Sequence, residues 1–216
     1  FGLVAMALLP WFMDFKDAVA LVAVLNLLVC IATFLTTRRH LVWRRVAPLA
    51  AASFLGVPFG VWALVRWDAR WLLAVLGAWM IAFAISELLL ARWWRPRFPE
   101  WSGWPVGLVS GALGGAFNAG GPPVIAYVYS QPWSKEETVV ALQVIFGASA
   151  VMRVALMGGT GLVPSDLMTV CAVSALPVLG GIALGARLLR RVPQAALKVV
   201  AAAFFLVMGA KYLLAP

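Results

Sequence analysis

The chain has 216 residues, a formal charge of +9 and 64% hydrophobic residues, with only 12% charged, where a soluble domain carries about 25%. Together with a mean hydropathy of +0.97, this excludes a soluble domain and describes an all-α polytopic protein of the inner membrane, multi-pass throughout. The arginines flank apolar stretches, so the positive charge reads as a topology signal and no nucleic-acid partner is expected.

In chain order the apolar segments lie at roughly 1–13, 17–36, 46–66, 71–91, 104–130, 138–160, 167–189 and 195–215, most of them near the ~20 residues that span a ~30 Å hydrocarbon core. The first is short and opens on Phe1, already in apolar sequence, so an N-terminal piece is expected ahead of it. The second holds Asn26 and Cys30, and Cys171 lies in the seventh. Neither cysteine has a CxxC partner, which makes both packing residues. The lone His40 sits in a basic loop, so no metal site is expected. The third segment carries Gly56 and Gly60, a small-xxx-small pair suited to close helix packing. Glu87 ends the fourth about one turn from Arg92, as an ion pair or solvated edge residue would, and Asp166 starts the seventh as a helix-start residue. No carboxylate is placed to relay protons.

The polar stretch 92–100, flanked by Trp93, Trp94, Trp101 and Trp104, divides the chain nearly in half. Gly56 and Gly60 match Gly181 and Gly185 at a constant offset, and Leu64, Arg66 and Leu72 then fall on Leu189, Arg191 and Leu197. The common order reads as two four-segment repeats: 1–91, a cytoplasmic linker at 92–103, and 104–216. Charge decides how they are related. If every segment crosses, lysines and arginines divide eight to eight between the two faces. If 104–130 instead enters and leaves on one side, the cytoplasmic set becomes Arg38, Arg39, Arg44, Arg45, Arg92, Arg95, Arg97, Lys135, Arg187, Arg190, Arg191 and Lys198. Only Lys16, Arg66, Arg70 and Lys211 remain outside, a ratio of twelve to four. The positive-inside rule selects the second scheme. The repeats are then inverted, with broken or re-entrant helices at their starts.

The break itself reads GALGGAFNAGGPP from Gly111 to Pro123. Free backbone groups in hydrocarbon cost several kcal/mol each unless protein or trapped water satisfies them, so such a break normally lines a site. Pro122 and Pro123 suit the first turn of a second half-helix. Its N-terminus, at Gly120 and Gly121, would favour an anion. Asn118 stands just before the break, able to bind substrate or to cap the half-helix. Followed by an apolar half-helix and a Lys/Glu-headed helix, this motif resembles the second repeat of the TauE/SafE sulfite exporter family, and the opening FGLVAMALLP with Asp17 and Asn26 resembles the first. The resemblance covers essentially the whole chain. It implies export or uptake of small sulfur-containing or organic anions: sulfite, sulfoacetate, sulfonates or thiosulfate.

Arg153 lies at depth in its apolar segment, where an arginine costs at least ~2.5 kcal/mol and normally faces a cavity or partner. Its guanidinium could clamp a sulfonate or carboxylate with paired hydrogen bonds, or could snorkel to the nearer interface. Gln143, nearer the start of that segment, is the other polar candidate, and Tyr127 and Tyr129 could contribute hydroxyls or suit an interface. The expected substrate-binding set is therefore Asn118, Gly120, Gly121, Pro122, Pro123, Gln143 and Arg153, with no cofactor. No carboxylate pair, histidine cluster or Ser-His arrangement lies at depth, which argues against an enzyme. A secondary transporter working by alternating access is the leading expectation, with an anion channel or a non-transporting membrane partner protein as the alternatives. Its partners would be a small anion and membrane lipids, with a coupling proton or ion and a homodimer left open.

Overall fold

With so few polar side chains to bond to, the backbone has to satisfy itself, and in apolar surroundings helix is the way to do so within one segment. The computed structural model describes residues 2–90, 98–159, 173–174, 180–181 and 194–214, and no strand occurs among them. Helix α1 (Gly2–Leu8) tightens into a 3-10 turn at Leu9–Trp11. It is followed by α2 (Phe15–Thr37), α3 (Trp43–Arg66) and α4 (Ala69–Ile85), the last widening into a π-type turn at Ser86–Leu90. Beyond lie α5 (Gly103–Phe117), α6 (Gly121–Ser130), α7 (Lys135–Gly159) and α8 (Gln194–Leu214). Among the described residues, four stretches are long and apolar enough to cross a bilayer: Phe15–Leu35, Trp43–Arg66, Ala69–Leu88 and Lys135–Gly159. Phe12, Phe59, Trp62 and Trp71 are exposed while Ser53, Ser110, Ser149 and Arg153 are buried. That inverts the pattern of a protein facing water.

The chain forms two units, Phe1–Arg66 with Pro96–Cys171, and Trp67–Arg95 with Ala172–Pro216. Each draws on both sides of the 92–103 stretch. In the first unit α5 packs along α3 through small residues spaced one turn apart, Ala52, Gly56 and Gly60 against Gly107, Gly111 and Gly115. A Cβ on Gly107 would lie 2.6 Å from the Ala52 Cβ, and one on Gly115 would lie 3.1 Å from the Gly60 Cα. The backbones touch, as small-residue seams in membranes allow.

Helices α5 and α6 make a hairpin whose two ends meet. The Tyr127 hydroxyl donates to the Glu100 carbonyl at 3.1 Å, and Gln131 Nε2 donates to the Phe98 carbonyl at 3.0 Å. At the same end α7 opens with a reciprocal cap. The Ser134 N–H donates to Glu137 Oε2 at 2.8 Å, and the Glu137 N–H donates to Ser134 Oγ at 3.1 Å. Arg45 at the start of α3 pairs with Glu137 at 3.3 Å. Half exposed, that pair contributes at most about 1 kcal/mol. What holds this end is the apolar cluster beneath it: Val46 and Leu49 of α3, Val124 and Val128 of α6, Ala141 and Ile145 of α7. At the other end of α3, Lys16 Nζ donates to the Val65 carbonyl at 3.2 Å.

In the second unit α4 and α8 approach at a glycine pair. A Cβ on Gly77 would lie 2.8 Å from the Gly209 carbonyl oxygen, and one on Gly209 would lie 2.7 Å from that of Gly77. Phe83 and Phe205 meet edge to face with centroids 5.6 Å apart. Most of the expected seventh segment, with Asp166, Cys171, Gly185, Leu189 and Arg191, lies outside the described residues.

Candidate functional site

The break is built by a reversal at one residue. Asn118 caps α5 in the left-handed region, at φ 55°. This conformation costs an ordinary residue roughly 1–2 kcal/mol, and asparagine tolerates it best after glycine. The Asn118 N–H donates to the Gly114 carbonyl at 3.0 Å, and the Ala119 N–H donates to that of Leu113 at 3.4 Å, so these two carbonyls near the end of α5 are occupied. The side chain is tied as well, with Nδ2 donating to the Val19 carbonyl of α2 at 2.9 Å. Phe15 and Phe117 pack edge to face beside it at 6.3 Å. Gly2 of α1 also abuts Asn118, since a Cβ there would come within 3.3 Å of the Asn118 Cβ.

The two glycines that follow have different tasks. Ser110 Oγ donates to the Gly120 carbonyl at 2.5 Å. A Cβ on Gly120 would sit 2.9 Å from that hydroxyl and collide with the Ser110 carbonyl oxygen. Gly120 is therefore a packing glycine. A Cβ on Gly121 would meet only Ile125 Cδ1 at 3.7 Å and Phe146 Cζ at 3.9 Å, both ordinary contacts. Pro122 and Pro123 occupy the first turn of α6 as their fixed φ favours. Of the first four positions of α6, only Gly121 and Val124 carry an N–H. The terminus therefore offers partial positive charge with few donors.

Arg153 brings a guanidinium to the carbonyl end of α5. It is 2% exposed, on α7, and Nη1 donates to the Gly114 carbonyl, the same oxygen that takes the Asn118 N–H. The carbonyl end of α5 carries roughly half a negative charge, which offsets part of the guanidinium, while the N-terminus of α6 contributes roughly half a positive one. Nor is the side chain saturated. Among the described residues the buried side-chain polar atoms without a partner are Ser53 Oγ, Asn118 Oδ1 and Arg153 Nε. Two of the three belong to residues that share the Gly114 carbonyl.

The structure thus brings Asn118 and Arg153 together on the Gly114 carbonyl, with Gly120, Gly121, Pro122 and Pro123 following in the same break. Gln143 is half-buried and ten residues before Arg153 on α7, a rise of about 15 Å. It lies one turn from Phe146, the residue nearest Gly121 on that helix. Tyr127 is engaged at the far end of α6, and Tyr129 is 72% exposed. Sequence reasoning passed over Ser110, Phe146 and the carbonyls of Val19 and Gly114. Gly114 did carry a signal, standing four residues before Asn118 where a helical cap finds its acceptor. No group of three or more His, Cys, Asp or Glu that could hold a metal occurs among the described residues.

A family model described as sulfite exporter TauE/SafE matches residues 1–212 of this chain. The chain is similar to a probable inner membrane transporter protein TsaS of Comamonas testosteroni, 24% identical over 172 residues, covering 79% of this chain and 72% of that protein. It is also similar to a probable sulfite/organosulfonate exporter TauE of Cupriavidus necator, 28% identical over 143 residues, covering 65% of this chain and 56% of that protein. No solved structure matches.

Proposed function

The chain belongs to the sulfite exporter TauE/SafE family, and on that footing we propose that it is a multi-pass inner-membrane secondary transporter for small sulfur-containing or organic anions, of the sulfite, sulfonate, sulfoacetate or thiosulfate class. Both relatives are named as probable transporters, one of the inner membrane and one of sulfite or organosulfonate. The observation that carries the reading is Arg153, a buried guanidinium with an unused Nε, held on the Gly114 carbonyl of a helix break that Asn118 closes and α6 follows. An anion leaving water must exchange its hydration for directed donors, and a guanidinium plus a helix N-terminus is such a set. Alternating access would expose the break to one face at a time. Protein reconstituted in liposomes should take up radiolabelled sulfite saturably and show counterflow when preloaded with unlabelled sulfite. Non-saturating flux without counterflow would instead mean an anion channel.

The same reading makes α5 and α6 a re-entrant hairpin and the two repeats inverted. The meeting of the two hairpin ends, with the start of α7 beside them, supports it. So does the twelve-to-four division of basic residues. Ser102 is buried, so the exposed Glu100 and Lys135 are the better reporters. In a background lacking Cys30 and Cys171, Glu100→Cys and Lys135→Cys should react with an impermeant thiol reagent from the same side. Reaction from opposite sides would end the hairpin and the inversion together.

A further inference from the structure

The two polar atoms left over at the break are of opposite kinds. Arg153 Nε is a donor without an acceptor, and Asn118 Oδ1 is an acceptor without a donor. The amide is not free to exchange its ends, because Nδ2 is held by the Val19 carbonyl at 2.9 Å. Both residues are anchored to the Gly114 carbonyl, Arg153 through Nη1 and Asn118 through its backbone N–H. A buried polar atom without a partner is costly in low dielectric, so a ligand that fits should satisfy both. A fully deprotonated oxyanion satisfies only Nε and brings an acceptor toward an acceptor. A monoprotonated one carries what each atom lacks, an anionic oxygen for Nε and an O–H for Oδ1.

We infer that the break takes its anion in the monoprotonated form, of the hydrogensulfite type, with the acid O–H donated to Asn118 Oδ1 and an anionic oxygen accepting from Arg153. The inference rests on the transport reading above and assigns its proton: it crosses on the substrate. Helices α1 and α5 hold no titratable side chain. The other elements packed around α5 and Asn118 bring Lys16, Asp17 and Cys30 on α2, with Asp14 just ahead of it, Arg44, Arg45 and Arg66 on α3, Tyr127 and Tyr129 on α6, and Lys135, Glu136, Glu137 and Arg153 on α7. Asp17, two residues before Val19, is the one whose influence on a pH trend must be removed.

Calorimetric titration of the detergent-purified protein with sulfite and with methanesulfonate, from about pH 6 to about pH 8, tests this. Sulfite passes from hydrogensulfite to the dianion across that range, whereas methanesulfonate stays a monoanion with no O–H. Affinity for total sulfite should fall about tenfold as pH rises, and methanesulfonate should bind about tenfold more weakly than hydrogensulfite, with no trend. Asn118→Gly keeps a residue suited to the left-handed backbone. It should bring hydrogensulfite binding down to the level of methanesulfonate measured on the same variant, while Asp17→Asn should preserve the trend. A flat or rising sulfite profile, equal binding of methanesulfonate, or undiminished hydrogensulfite binding by Asn118→Gly would overturn the inference and leave the anion site standing. A trend that vanishes in Asp17→Asn would assign the proton to the protein and overturn it as well. If no anion binds at any pH, the site reading falls with it.

Discussion

Arg153→Gln is expected to lose about 100-fold in affinity for a small oxyanion, equivalent to roughly 3 kcal/mol for charge-assisted hydrogen bonds that glutamine cannot supply. The fold should survive. The Gly114 carbonyl keeps the Asn118 N–H, so removing Nη1 costs the protein only about 1 kcal/mol. Arg153→Lys should fall between, losing about tenfold, because an ammonium at the end of a flexible stem cannot reproduce the planar fork that serves Gly114 and a ligand together. Substrate-induced thermal shifts of the three purified proteins make the comparison directly. Equal shifts would reduce Arg153 to a clip on the carbonyl end of α5. A fall in the melting temperature of the ligand-free protein alone would say the same.

The glycine pair should divide in the same way between site and scaffold. Gly121→Val adds a side chain where only Ile125 and Phe146 stand near, at 3.7 and 3.9 Å from the new Cβ. Membrane expression should stay near normal while uptake falls to background, since the branched side chain fills the approach to the first turn of α6. Gly120→Val drives a Cβ into the Ser110 backbone, which cannot step aside as a flexible side chain could. Overpacking of this kind typically costs about 1–3 kcal/mol and can cost more where backbone is met, so the protein level itself should drop. Immunoblotting of membranes beside uptake separates the two. Normal uptake by Gly121→Val would make the break a packing kink, and a normal level of Gly120→Val would contradict the close approach to Ser110.

What sequence could and could not reveal follows from where the information sits. Gly120 to Pro123 announce a break because glycine and proline change what a backbone can do locally, and Arg153 announces itself as a charge in apolar sequence. Their partners are silent. The acceptor for Asn118 is the carbonyl of Val19, 99 residues earlier, and the acceptor for Arg153 is the carbonyl of a glycine. A backbone oxygen has no letter of its own. Gln143 stands out by its polarity and its place near the start of the segment that holds Arg153, and helical rise puts the two about 15 Å apart. The left-handed turn at Asn118 had a local cue in its residue type. The differing duties of Gly120 and Gly121 had none, since only packing against Ser110 tells the two apart.

The glycine contact between α4 and α8 sets a timetable for biogenesis. Gly77 leaves the ribosome roughly 130 residues before Gly209, and at about 5–20 residues per second the wait is on the order of ten seconds. Throughout it α4 waits without α8, its partner at Gly77 among the described residues. Over the same interval α3 receives α5 and the first unit can close. A newly made chain therefore completes the seam between α3 and α5 well before the contact between α4 and α8 can form. Loss of α8 should send the protein to membrane quality control rather than leave a stable fragment.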